Sequence, residues 1–126
     1  MSDPISNLPE RTGYLTREQL QQRVADKVSC QGADLIRCDL SGLDLSGALL
    51  SGATFREVQL RGANLSDVDL SGARFTECDL HGVNCTNTNL SKATLDQVSA
   101  PESTFDGADL CGATISKGNY AGSTFV

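Results

Sequence analysis

The sequence predicts a β-solenoid, and two observations carry that prediction. From Ala33 to the last residue an apolar side chain recurs at every fifth position without insertion or deletion, as in Leu35, Leu40, Leu45, Leu50, Phe55 and Leu60. Two places earlier in each pentad stands a small or branched residue, such as Ala33, Ala53, Ala63 or Val68. The second observation is glycine in the fifth place, for example Gly42, Gly47, Gly52 and Gly62, where a corner needs a permissive backbone. A helix of period 3.6 cannot keep residues five apart on one face, and a strand of period two cannot either. A chain that turns once per pentad can, so each pentad is one side of a coil.

On these residues the chain resembles the pentapeptide-repeat family, whose pattern is Ala-(Asp/Asn)-Leu-x-x. It is carried here by Ala33-Asp34-Leu35, Ala63-Asn64-Leu65, Ala108-Asp109-Leu110 and many relaxed copies. The resemblance implies an all-β fold, a right-handed quadrilateral parallel β-helix with four pentads per coil. ATFREVQL (Ala53–Leu60) and ARFTECDL (Ala73–Leu80) match one such coil apart. The resemblance also implies a choice of roles. Some family members resemble duplex DNA in width and charge, bind type II topoisomerases and confer fluoroquinolone tolerance.

Taken in order, residues 1–14 carry Pro4, Asn7, Pro9 and Gly13 without periodicity and read as a flexible tail. Residues 15–27 read as a capping helix, running from about Arg17 to Asp26. Thr16 is its N-cap, Gln19 completes a capping box, and Leu15 with Leu20 forms a hydrophobic staple. Leu20 and Val24 share a face that should seal the first coil, with the tail covering Ile36 or Leu49. Residues 28–126 form the β-helix, with Val28 and Cys30 of an extra leading pentad pointing inward. The pentads led by Ala33, Ala53, Ala73, Ala93 and Ala113 should form the flattest side and stack Phe55 on Phe75. Phe105 and Phe125 make a second pair. At Val98–Glu102 a small Ala100 stands beside Pro101, which removes a ladder donor and should open the coil, with Tyr120 leaning over the gap.

Composition narrows the function. The net charge of -6 argues against direct binding to a nucleic-acid backbone, where clustered cations supply the affinity. No apolar run is long enough to span a membrane and the N-terminus is polar, so a bacterial cytoplasmic protein is expected. Cys38 and Cys78 fall two coils apart, about 10 Å at the usual strand spacing and too far to bridge. Cys85 points inward and only Cys111 outward, as suits free thiols in a reducing cytosol. His81 is the one histidine, at an outward corner, so neither a metal site nor a nucleophile–base pair is expected. No cofactor is implied.

The reading is therefore a non-enzymatic module that docks a protein partner through its flat sides or ends. The alternative is a DNA-mimicking modulator of DNA gyrase. Candidate contact residues are an acidic side with Asp44, Asp67 and Asp106, adjoined by Asp39 and Asp79. At the upper end Ile115, Tyr120 and Phe125 have no coil above them, and an exposed β edge invites association. A two-fold end-to-end homodimer through that coil is the expectation.

Overall fold

The computed structural model describes residues 15–126; the tail expected over 1–14 lies outside them. Helix α1 (Arg17–Ala25) is followed by five short strands, β1 (Asp34–Ile36), β2 (Thr54–Arg56), β3 (Arg74–Thr76), β4 (Thr94–Asp96) and β5 (Thr114–Ser116). These pair in parallel and in order as one sheet. Leu35 lies beneath Phe55, then Phe75, Leu95 and Ile115. The other pentads stack through single parallel bridges at the same offset, such as Asp39 with Gln59, Asp44 with Asn64 and Leu49 with Asp69. The chain thus forms the right-handed quadrilateral parallel β-helix that the repeat implied. We number its faces from the strand-bearing one: face one begins at Ala33, face two at Cys38, face three at Leu43 and face four at Ala48.

Backbone hydrogen bonding explains why the repeat is five residues long. The third-place N–H points up and donates to the second-place carbonyl of the next coil, as Leu40 does to Gln59 at 2.7 Å. The fifth-place N–H also points up, as from Gly42 to the Arg61 carbonyl at 2.9 Å. The second-place N–H points down, as from Asn64 to the Leu43 carbonyl at 2.9 Å. At most corners other than those that end face one, the first-place N–H closes onto the third-place carbonyl before it, as from Ala48 to Leu45 at 3.0 Å. Each corner requires a positive φ in the fifth place. On face one no glycine takes that place; Arg37, Glu57, Glu77, Gln97 and Lys117 adopt φ between 50° and 56°. Only this face carries continuous strands.

First- and third-place side chains fill the interior, from Ala33 and Leu35 up to Phe105, and Phe55, Val58 and Leu60 are fully buried. Phe55 and Phe75 stack with centroids 4.5 Å apart and planes 2° from parallel. Phe105 and Phe125 stack at 4.9 Å.

Two expectations are corrected. The coil does not open at Pro101: its carbonyl accepts from Gly82 N–H at 2.9 Å, and Ala100, fully buried, donates to the Asn119 carbonyl at 2.7 Å. Proline is tolerated because it stands in the fourth place, whose N–H takes no part in the ladder; elsewhere that N–H turns back to a second-place side chain, as from Ser41 to Asp39. Val28 does not point inward but is 49% exposed. Its N–H bonds to the Arg23 carbonyl behind the helix, so the unbroken ladder begins after it at Cys30, which is buried and donates to the Leu49 carbonyl.

At the lower end α1 packs against the first coil and leaves an open cleft lined by Val24, Val28, Ala48 and Leu49. Thr16 caps α1 with both halves of the capping box formed. Leu15 and Leu20 are buried and Val24 packs partly against the core. Leu15 donates to the Asp34 carbonyl at 3.0 Å, a third-place bond of the repeat. Leu15 and Cys30 donate to the coil above as third-place residues do, and Leu20 falls twenty residues before Leu40 in the same frame. The helix therefore replaces part of a coil without breaking the frame. Leu49 remains 51% exposed and Ile36 half-buried; any cover from the tail lies outside the described residues.

Candidate docking surfaces

The second place of the pentad supplies most of the polar columns, and its carboxylates and amides have structural work. Asp44 Oδ1 accepts from the backbone N–H and hydroxyl of Ser46 at 3.0 and 2.7 Å, and from Asn64 Nδ2 at 3.2 Å. Asn64 repeats the pattern with Ser66, Asp69 with Ser71, and Asn89 with Ser91. These Asx turns brace the corners. A sequence signal for several of them is the Ser or Thr two residues after the Asp or Asn; Asp79, Asp109 and Asn119 form the same turn onto the N–H groups of His81, Cys111 and Ala121. Hydrogen bonds from Ser46 hold the Asp44 carboxyl below the usual range, and those from Ser41 do the same for Asp39.

The acidic residues thus occupy different environments. On face three, Asp44 and Asp67 are exposed, Asp67 at a corner with φ 59°. Asp106, in the fourth place, accepts from Val126 N–H at 3.1 Å. On face two, Asp79 holds Arg61 at 3.1 Å and caps the His81 N–H at 3.0 Å, while Asp39 caps Ser41. A shallow hollow where faces one and two meet is lined by Glu57, Gln59, Arg61, Glu77 and Asp79. His81 Nε2 lies 3.8 Å from Glu102 Oε2 at the surface. Among the described residues no His, Cys, Asp and Glu group could hold a metal. No helix among them is long and apolar enough to cross a membrane.

At the upper end Ile115 is 45% and Phe125 49% exposed. Tyr120 packs edge-on against Phe105 and Phe125, at 6.1 and 6.4 Å. Its ring lies over Gly118, where a Cβ would collide with Cε2. The Tyr120 hydroxyl is buried and has no partner among the described residues. Burial raises its pKa. Of the thiols, Cys30, Cys78 and Cys85 are buried, Cys38 in the lowest coil is half-buried and Cys111 is exposed. Burial pushes Cys78 up to about 11 and Cys85 up to about 12.

A stack of pentads with braced corners and a capped lower end defines a class of protein before any comparison. The model for pentapeptide repeats matches in 8 copies, over residues 29–67, 44–82 and 78–116. The chain belongs to the pentapeptide-repeat family. Among solved structures it is similar to alr5209, a pentapeptide repeat protein from Nostoc PCC 7120, with TM-score 0.55 and 26% identity over 83% of this chain and 99% of that one. It also shares its fold with full-length QnrB1, a plasmid-mediated fluoroquinolone resistance protein, with TM-score 0.56 and 23% identity over 87% of this chain. It spans 55% of QnrB1's length. A search of the curated proteins finds no match.

Proposed function

We propose that this protein is a non-enzymatic docking module that presents its flat faces and its upper end to a protein partner. The observation that carries this reading is the way the polar groups are used. Second-place carboxylates and amides brace corners, the core is apolar, and the faces offer fixed columns of side chains at coil spacing on a rod held by its own ladder. A solenoid of this kind recognises by surface rather than by pocket. Family membership supports a structural or binding role, and a cytoplasmic bacterial setting remains part of the proposal.

A second reading is favoured by the distribution of charge. Face three carries Asp44, Asp67 and Asp106 and no Lys or Arg, as a surface imitating duplex DNA would. QnrB1, which shares the fold, is a fluoroquinolone resistance protein. One experiment separates the two: a DNA gyrase supercoiling assay with purified protein. Under the docking-module reading gyrase is unaffected at micromolar protein. Under the DNA-mimic reading supercoiling changes, and charge reversal at Asp44, Asp67 and Asp106 abolishes the effect while Arg56→Glu leaves it.

The upper coil carries the homotypic part of the proposal. Ile115, Tyr120 and Phe125 form an apolar end suited to an end-to-end contact with another copy. Sedimentation equilibrium over a concentration series tests it; a Phe125→Glu chain that associates unchanged would move the contact elsewhere.

A further inference from the structure

The two ends of this rod have opposite hydrogen-bonding character. Every pentad sends two N–H groups upward, from its third and fifth places, and only one carbonyl, from its first. Downward it sends two carbonyls, from the second and fourth places, and one N–H. The top coil therefore presents an excess of donors: on faces one and two, the N–H groups of Ile115, Lys117, Tyr120 and Gly122 against the carbonyls of Ala113 and Gly118. β5 is the last strand of its sheet, and no described residue lies above it. The lowest coil presents an excess of acceptors, the carbonyls of Asp34, Ile36, Asp39 and Ser41.

The N-terminal segment answers that excess with donors. Leu15 N–H bonds to the Asp34 carbonyl at 3.0 Å. The Arg17 guanidinium, a group with donors only, reaches the carbonyls of Asp39 and Ser41 at 2.8 and 3.3 Å. Those two acceptors are the ones a second- and fourth-place pair would offer to a coil below. On face four, Cys30 and Gly32 donate to Leu49 and Ser51, each at 2.8 Å. Leu20 meanwhile is fully buried in the core at this end.

We propose that Leu15 and helix α1 form a detachable guard that keeps the lower edge of one copy from docking on the upper edge of another. The proposal rests on the upper coil being a homotypic docking surface and names what that surface fits. With the guard displaced, Ile115 of one copy meets Leu35 of the next, Tyr120 meets Leu40 and Phe125 meets Leu45, and the ladder continues in its own register. Such a contact is heterologous and does not close, so it propagates as a rod. A two-fold contact between upper ends would instead set donor excess against donor excess, leaving N–H groups without acceptors.

The test uses the full chain carrying Leu20→Asp, which expels the helix from the base, with Arg17→Ala as a milder variant that leaves the core untouched. Far-UV circular dichroism establishes that the coil persists, and sedimentation velocity with negative-stain electron microscopy reads assembly. The expected result is concentration-dependent assembly of Leu20→Asp into end-on rods, with Arg17→Ala assembling more weakly. Adding unmodified chain should shorten the rods, because its upper edge fits a growing lower end while its own lower edge is shut. A Leu20→Asp chain that keeps its coil but stays monomeric overturns the proposal, as does rod growth indifferent to unmodified chain. If Leu20→Asp loses its coil, an Arg17→Ala chain that does not assemble overturns it equally. An unmodified chain that forms a closed dimer through Phe125, unchanged by either substitution, preserves the homotypic reading and sinks the guard; no association by any variant removes both.

Discussion

Gly118 and Tyr120 form a matched pair that departs from the repeat at two inward places. A branched residue in the first place would occupy the space that the tyrosine ring fills over Gly118. Gly118→Ala should therefore destabilise the top coil by about 1–3 kcal/mol, the usual cost of overpacking, measured by urea denaturation. Tyr120→Phe should do the opposite and raise stability by about 1 kcal/mol, since it deletes a buried hydroxyl that finds no partner among the described residues. Deeper in the rod, Phe75→Ala should cost about 3–5 kcal/mol, because the cavity opens against Phe55 with little room to collapse. The buried thiols make a separate prediction. In the unfolded chain they ionise near their ordinary value of 9.0, whereas in the fold Cys78 and Cys85 hold their protons up to about 11 and about 12. Stability that is fully present below pH 9.0 is then lost as the pH climbs through the folded values. Denaturation at a series of alkaline pH values should give a shallower loss for Cys85→Val than for the unmodified chain.

The cap is the element where local sequence and global fold agree most closely. Thr16 and Gln19 close the N-terminus of α1 while Leu20 anchors it. Thr16→Ala should cost about 1 kcal/mol, read as a lower denaturation midpoint with unchanged slope. Much of this element was legible, because capping box, staple and apolar stripe are all local signals. Its registration with the coil above was not read, although Leu15, Leu20 and Cys30 keep the repeat offset. Helical intervening residues hide a period of five. Val28 shows the reverse: it fits the frame but follows a helix end whose last bonds hold it outside. Pro101 was misread for a related reason. Apolar spacing locates side chains but does not say which backbone N–H groups join the ladder, and the fourth-place one does not. The candidate surfaces were legible only as positions. That Asp39 and Asp44 brace corners follows from the Ser two residues onward, a relation that a count of charges by face passes over; Asp79 braces its corner with His81 in that place.

For the whole molecule, contacts run almost entirely between neighbouring coils, so stability is distributed along one dimension. Hydrogen exchange in Phe75→Ala should show protection lost chiefly in the coils bearing β2, β3 and β4, with the base near Leu20 retaining its own. Uniform loss along the rod would mean a single cooperative unit instead. The face-one corners add a feature at this scale. Because Arg37, Glu57, Glu77, Gln97 and Lys117 all accept a left-handed backbone, that edge displays long side chains where other edges mostly display glycine. In that column Arg37 Nε lies 3.7 Å from Glu57 Oε2 at the surface.

The pentad is a quarter of a coil, and this makes chain length a setting of azimuth. Removing one whole coil, such as Ala53 to Gly72, would shorten the rod while every surviving patch kept its compass bearing relative to the N-terminal helix. Removing a single pentad would leave inward residues inward yet swing everything above it through about ninety degrees, as the four-sided repeat requires. Descent by small duplications could thus re-aim a surface against a fixed base without redesigning any core, and two rods of identical composition could present different bearings to the same partner.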